Sequence, residues 1–116
     1  METTESILTS IKKLLGIEKD YTHFDQDIII HINSTLSVLK QIGVGPSSGF
    51  VITGGDETWD QFIETDPNSF SMVKSYVYLK VRLLFDPPLS SAAVDSINKQ
   101  IAEYEWRITV AADSVL

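Results

Sequence analysis

Residues 73–85, VKSYVYLKVRLLF, would place apolar side chains on nearly every side of a helix, and the run halts at Asp86-Pro87-Pro88. A helix that is apolar around most of its circumference is stable in water only when it is covered from several directions. The rest of a 116-residue chain must therefore supply several apolar faces, or a neighbouring subunit must supply one. The stop is firm. Asp86 precedes a proline and is pushed out of the α region, and Pro87 and Pro88 lack the N–H groups that would extend the ladder. Ser90 or Ser91 then caps another helix, in which Val94, Ile97, Ile101, Tyr104 and Ile108 recur every three or four residues as a seam. These two segments, the third and fourth predicted helices, form an αα-hairpin. Leu84→Asp and Ile101→Asp are both expected to unfold the protein by placing a charge in their contact.

The remaining cover comes from upstream. Ile7, Leu8, Ile11, Leu14 and Leu15 lie on one face of a first helix over residues 4–15, with Thr3 or Thr4 as N-cap and Gly16 as terminator. Thr22 and Asp25 have the spacing of a capping box and open a second helix, whose Ile28, Ile29, Ile32, Leu36, Leu39 and Ile42 form a broad stripe before Gly43. Helical periodicity is absent from residues 43–68. There, five glycines within GVGPSSGFVITGG mark a connection long for a compact domain, with room for a short β element at residues 50–53 and a short helix capped by Asp56. The third helix begins at Asp66-Pro67, or is capped by Asn68 or Ser69. The expected fold is mainly α: one domain over residues 1–116, about four principal helices, a Gly-rich segment between the second and third, and a C-terminal tail at 109–116.

Composition excludes several functions. Nine Lys plus Arg against sixteen Asp plus Glu give a net charge of −7, the wrong sign for a surface that grips phosphate backbones. With no cysteine there is no disulfide, thiolate metal site or cysteine nucleophile, which fits a reducing cytoplasm. No apolar run reaches the ~20 residues that cross a bilayer, and no export signal is legible at the N-terminus.

Candidate sites compete with structural readings. His23, Asp27 and His31 are spaced i, i+4, i+8, but such a span is about 12 Å of helix, too long for one ion, so surface charge partnering is the better account. The glycine segment lacks the Lys-Ser/Thr of a phosphate loop and the context of a dinucleotide site, and no GxSxG elbow supports a hydrolase. Neither catalytic residues nor a cofactor or metal site is assigned. Lys99–Glu103 and Glu103–Arg107 are ordinary i,i+4 pairs on a solvent face. Trp59 and Trp106 could each serve as core or contact residue; Trp59, in the irregular segment, is the better contact candidate. Phe50, Trp59 and Phe62 are the interface candidates, because aromatics outside any helical stripe are free to anchor a partner.

VKSYVYLKVRLLFDPP, the seam ending IAEYEWRI, FDQDIIIHIN and IGVGP together resemble the head-tail connector (adaptor) proteins of tailed bacteriophages, over roughly residues 6–108. The resemblance implies a virion structural protein made in the host cytoplasm. It would assemble as a twelvefold ring under the portal, extend the DNA channel and meet the next connector, stopper or tail protein. DNA would pass without specific binding, no membrane would be involved, and residues 109–116 could dock on the portal. The rival readings are a small acidic helical regulator or interaction module, for which Lys74, Lys80 and Arg82 form the nearest basic cluster, and a metal-dependent enzyme resting on His23 and His31.

Overall fold

The computed structural model describes residues 4–63 and 67–113, and the side-chain environments of 4–63 and 69–113. The helices are α1 Ile7–Leu14, α2 Asp25–Ile42, α3 Trp59–Phe62, α4 Pro67–Phe85 and α5 Ser91–Asp113. The expected four principal helices are α1, α2, α4 and α5, and the single turn α3 lies in the Gly-rich connection. No strand forms among the described residues; one antiparallel bridge joins Ser6 and Thr58.

Several ends differ from expectation for local reasons. The cap of α1 is Ser6, whose Oγ accepts from the Thr9 N–H at 3.2 Å, so the helix begins later than Thr4; Thr3 lies outside the described residues. At α2 the expected Thr22 cap is not made. Thr22 contributes its backbone carbonyl to the Asp25 N–H, at 3.2 Å, and Phe24 occupies the cap position without a side-chain bond. Asp25 and Asp27 in the first turn compensate by facing the positive end of the helix dipole. Gly43 closes α2 in the left-handed conformation at φ 110°, donating to the carbonyls of Leu39 and Lys40. Pro67 opens α4 as the proline signal indicates, while Asp66 lies outside the described residues. Ser90 caps α5, its Oγ accepting from the Ala93 N–H at 3.3 Å. The helix continues through residues 109–113, where a tail was expected to begin; residues 114–116 lie outside the described set.

The long apolar helix is covered as its composition demands. α4 packs against α2 on one side and α5 on another; α1 lies mainly on α2, and its contact with α4, like that between α2 and α5, is small. Val73, Tyr76, Val77 and Val81 of α4 are buried with Ile28, Ile32, Leu36 and Leu39 of α2, Ile101 and Ile108 of α5, and Ile7, Leu8 and Ile11 of α1. Each such aliphatic side chain contributes about 1.5–3 kcal/mol by leaving water. Leu84 corrects the expectation set for it: it is 56% exposed. Phe85 takes the inward direction at that turn, with its ring 5.3 Å from that of Phe24, and Leu84 is thereby rotated to solvent.

Two buried polar arrangements fix the packing. Lys12 is 2% exposed; its Nζ donates to the carbonyls of Lys19 at 3.0 Å and Tyr21 at 2.7 Å and lies 2.8 Å from Asp25 Oδ1. The ammonium thus ties α1, the following loop and the start of α2 together. Across the hairpin, the buried Tyr76 hydroxyl donates to Glu105 Oε2 at 2.7 Å. Burial, this hydrogen bond and the carboxylate's charge all raise the Tyr76 pKa above its ordinary value of 10.0.

Three outcomes follow from this packing. Ile101→Asp should abolish cooperative unfolding under native conditions, whereas Leu84→Asp should leave the melting temperature nearly unchanged; equal effects would contradict the assigned faces. Lys12→Met should lower stability by about 3 kcal/mol in denaturant titration, because it strands two carbonyls and one carboxylate. Because the folded pKa of Tyr76 is raised, its contribution is complete below the unfolded pKa of 10.0 and is lost as pH rises beyond it. Stability measured above that pH should fall more steeply in wild type than in Tyr76→Phe.

Candidate assembly surfaces

The Gly-rich connection is built onto the helices by side chains. The Asn33 amide, on α2, mimics a neighbouring strand: Nδ2 donates to the Ile52 carbonyl at 3.0 Å and Oδ1 accepts from the Ile52 N–H at 2.8 Å. This satisfies both backbone groups of Ile52 without a sheet. The Glu57 carboxylate then accepts from the Thr53 N–H at 3.0 Å, Thr53 Oγ1 at 2.8 Å and the Gly54 N–H at 3.4 Å. Desolvation pushes the Glu57 carboxyl up, but these hydrogen bonds outweigh it and the net shift is downward. The Ile7 N–H donates to the Glu57 carbonyl at 2.9 Å, and the Trp59 N–H donates to that of Glu5 at 3.3 Å, which sews the segment to the start of α1.

Thr58, rather than the expected Asp56, is the cap of α3, and the Gln61 side chain accepts from its N–H at 3.1 Å. That turn aims Trp59 inward. Trp59 is fully buried, its Nε1 donates to Ser10 Oγ at 2.8 Å, and its ring meets Phe70 edge-on at 5.8 Å. Phe62 is also buried, and Phe50 is half-buried with its ring 5.4 Å from that of Phe62. Gly45 is required here: its φ is 91°, and a Cβ would come within 2.5 Å of Phe62 Cε1. The three aromatics proposed from sequence are thus brought near one another, with Trp59 and Phe62 inside the protomer and Phe50 at its edge. Between this segment, α4 and the end of α5 lies a cleft of about 430 Å³, lined by Val44, Pro46, Phe62 and Met72 among others.

The large apolar side chains that do reach solvent lie elsewhere. Trp106 is 66% and Val110 48% exposed, one turn apart on the outer face of α5. On α2, Ile30 is 60% exposed, and Val51, adjacent to the Asn33-bound Ile52, is 62% exposed. Leu84 and Leu89 flank the α4–α5 turn, and Leu14 and Tyr21 flank the α1–α2 loop. The roles weighed for the two tryptophans are therefore exchanged in exposure. The signal was present in the register: Trp106 stands two residues from both Tyr104 and Ile108 of the seam, about 200° around the helix.

The other singled-out residues have local partners. His23 precedes α2 and contacts the rings of Tyr21 and Phe24 at 6.1 and 4.8 Å, so it does not share a helical face with Asp27 and His31. No group of three or more His, Cys, Asp or Glu residues among the described residues could hold a metal ion. The near-cluster of bases is dispersed: Lys74 pairs with Glu5 at 3.3 Å, Lys80 lies over the Tyr76 ring at 6.0 Å, and Arg82 donates to Tyr78 Oη at 3.3 Å. No helix among the described residues is long and apolar enough to cross a membrane.

Comparison with curated proteins and with solved structures returns no match. A family profile described as phage connector protein matches residues 7–115, from the first residue of α1 through the whole helical body. The chain belongs to the phage connector protein family.

Proposed function

We propose that the protein is a virion structural component of the head-tail junction of a tailed bacteriophage, a connector (adaptor) that forms a ring beneath the portal. The observation that carries this reading is the family match across residues 7–115, which includes every principal helix. The ring extends the DNA channel from the capsid and presents a platform to the next connector, stopper or tail protein. Twelve subunits are proposed for the ring in the virion.

Physical features support each part. A closed ring is built from heterologous contacts, in which one patch meets a different patch on its neighbour. This protomer exposes Ile30 on α2, Val51 in the Gly-rich connection, and Trp106 and Val110 on α5. A net charge of −7 suits a channel through which DNA slides, since a basic wall would bind phosphates and retard passage. The segment carrying Phe50, Trp59 and Phe62 contributes to assembly in this reading: Trp59 and Phe62 hold it from beneath, Phe50 packs on Phe62 at its edge, and Val51 faces outward. The end of the C-terminal segment 109–116, past the α5 face that carries Val110, is proposed to dock on the portal.

Mixing the protein with its cognate portal and observing the product by electron microscopy and sedimentation should show stoichiometric rings on the portal. Absence of association with the portal and with every neighbouring virion protein would overturn the reading. In a companion titration at low salt, duplex DNA should show no sequence-specific complex at sub-micromolar protein.

A further inference from the structure

We propose that the outer face of α5, centred on Trp106 and Val110, binds Ile30 of α2 and Val51 of the Gly-rich connection, which Asn33 ties to α2 through Ile52, on a second copy of this chain. This inference rests on the ring reading and assigns the two surfaces that close it. Both patches are turned away from the same central helix, since α4 packs against α2 and α5 while these two scarcely touch. The patches therefore look out of the protomer in different directions. A head-to-tail contact needs that arrangement, and a two-fold dimer does not.

The surfaces also complement each other chemically. On α2, Asp27 lies one turn before Ile30 on the same exposed face. On α5, Arg107 is adjacent to Trp106 and is held by Glu103 at 3.1 Å in a pair whose members are 54% and 65% exposed. So exposed a pair contributes little, which leaves the guanidinium available to a carboxylate on a neighbour. Tryptophan is among the side chains most enriched in residues that dominate interfaces, as is arginine, and here the two are consecutive exposed residues of α5. Val51 is presented rigidly, because Asn33 grips both backbone groups of the adjoining Ile52.

The chain contains no cysteine, so introduced thiols report contacts without background. An Ile30→Cys, Trp106→Cys double variant, oxidised on the portal, should give a ladder of covalent oligomers that ends at the ring size. Neither single variant should give more than traces of dimer. Ile30→Glu and Trp106→Glu should each reduce ring formation about tenfold or more while keeping the wild-type melting temperature, because both sites are exposed. Arg107→Asp should weaken assembly, and adding Asp27→Arg should restore it. Wild-type rings with no ladder, and with both Glu variants assembling normally, would overturn the assigned surfaces and leave the ring reading standing. Efficient dimers from either single-cysteine variant would show a two-fold contact and also overturn the proposal. Failure of the wild type to form any ring would overturn the ring reading itself and this inference with it. Should a Glu variant fail to fold, the cysteine ladder decides.

Discussion

The covering of α4 is the constraint from which the rest of this structure follows. Four of its side chains, Val73, Tyr76, Val77 and Val81, are almost entirely removed from water. No single helix could cover all of the buried surface of α4, because these four, at i, i+3, i+4 and i+8, share one broad face, while Leu79, also buried, and the partly buried Tyr78 and Phe85 lie beyond its two edges. The chain answers with α2 and α5 on separate sides and a smaller contribution from α1. The firm break at Pro87-Pro88 lets α5 fold back along α4 at once, and the longer route from α2 to α4 leaves room for the Gly-rich connection. With α4 largely enclosed, the outer faces of its two main partners are among the surfaces left to solvent.

Apolar burial sets which helices meet, and a few buried polar groups set their register. Lys12 draws two carbonyls and a carboxylate around one ammonium, and an alternative packing would leave those groups unpaired in the interior. Tyr76 to Glu105 pins the hairpin, Trp59 to Ser10 pins the connection to α1, and Asn33 pins it to α2. The consequence reaches the surface: the last of these bonds holds Val51 beside α2, so the irregular segment becomes part of a defined face rather than a free loop.

The helices were legible from sequence because their signals are local. The three-and-four spacing of Ile101 and Ile108, the Pro-Pro stop, Ser90 and Gly43 act within a few residues of themselves, and each appears where expected. What was not legible depends on contacts distant along the chain. Trp59 looks free for a partner until the connection folds back and places its indole N–H on Ser10, forty-nine residues away in sequence. Asn33 shows no sign of replacing a strand, and no local signal marks Lys12 for burial. Leu84 was misplaced because a strongly apolar helix does not announce which of two adjacent residues turns inward; Phe24, brought in by α2, selects Phe85. The candidate aromatics Phe50, Trp59 and Phe62 were found together but with two inside, while the register of the α5 seam already put Trp106 outside. The family was visible in wording spread across the helices, consistent with a match over residues 7–115.

Hydrogen–deuterium exchange, followed residue by residue in the free protein and in the portal-bound ring, tests the central claim most directly. The account predicts that α4 amides between Val73 and Val81 exchange last in both states. It also predicts that assembly adds protection on α2 near Ile30, at Val51 and on α5 near Trp106, with little change in α4. Exchange of α4 as fast as that of the Gly-rich connection, or protection gained on assembly only outside the outer faces of α2 and α5, would contradict it.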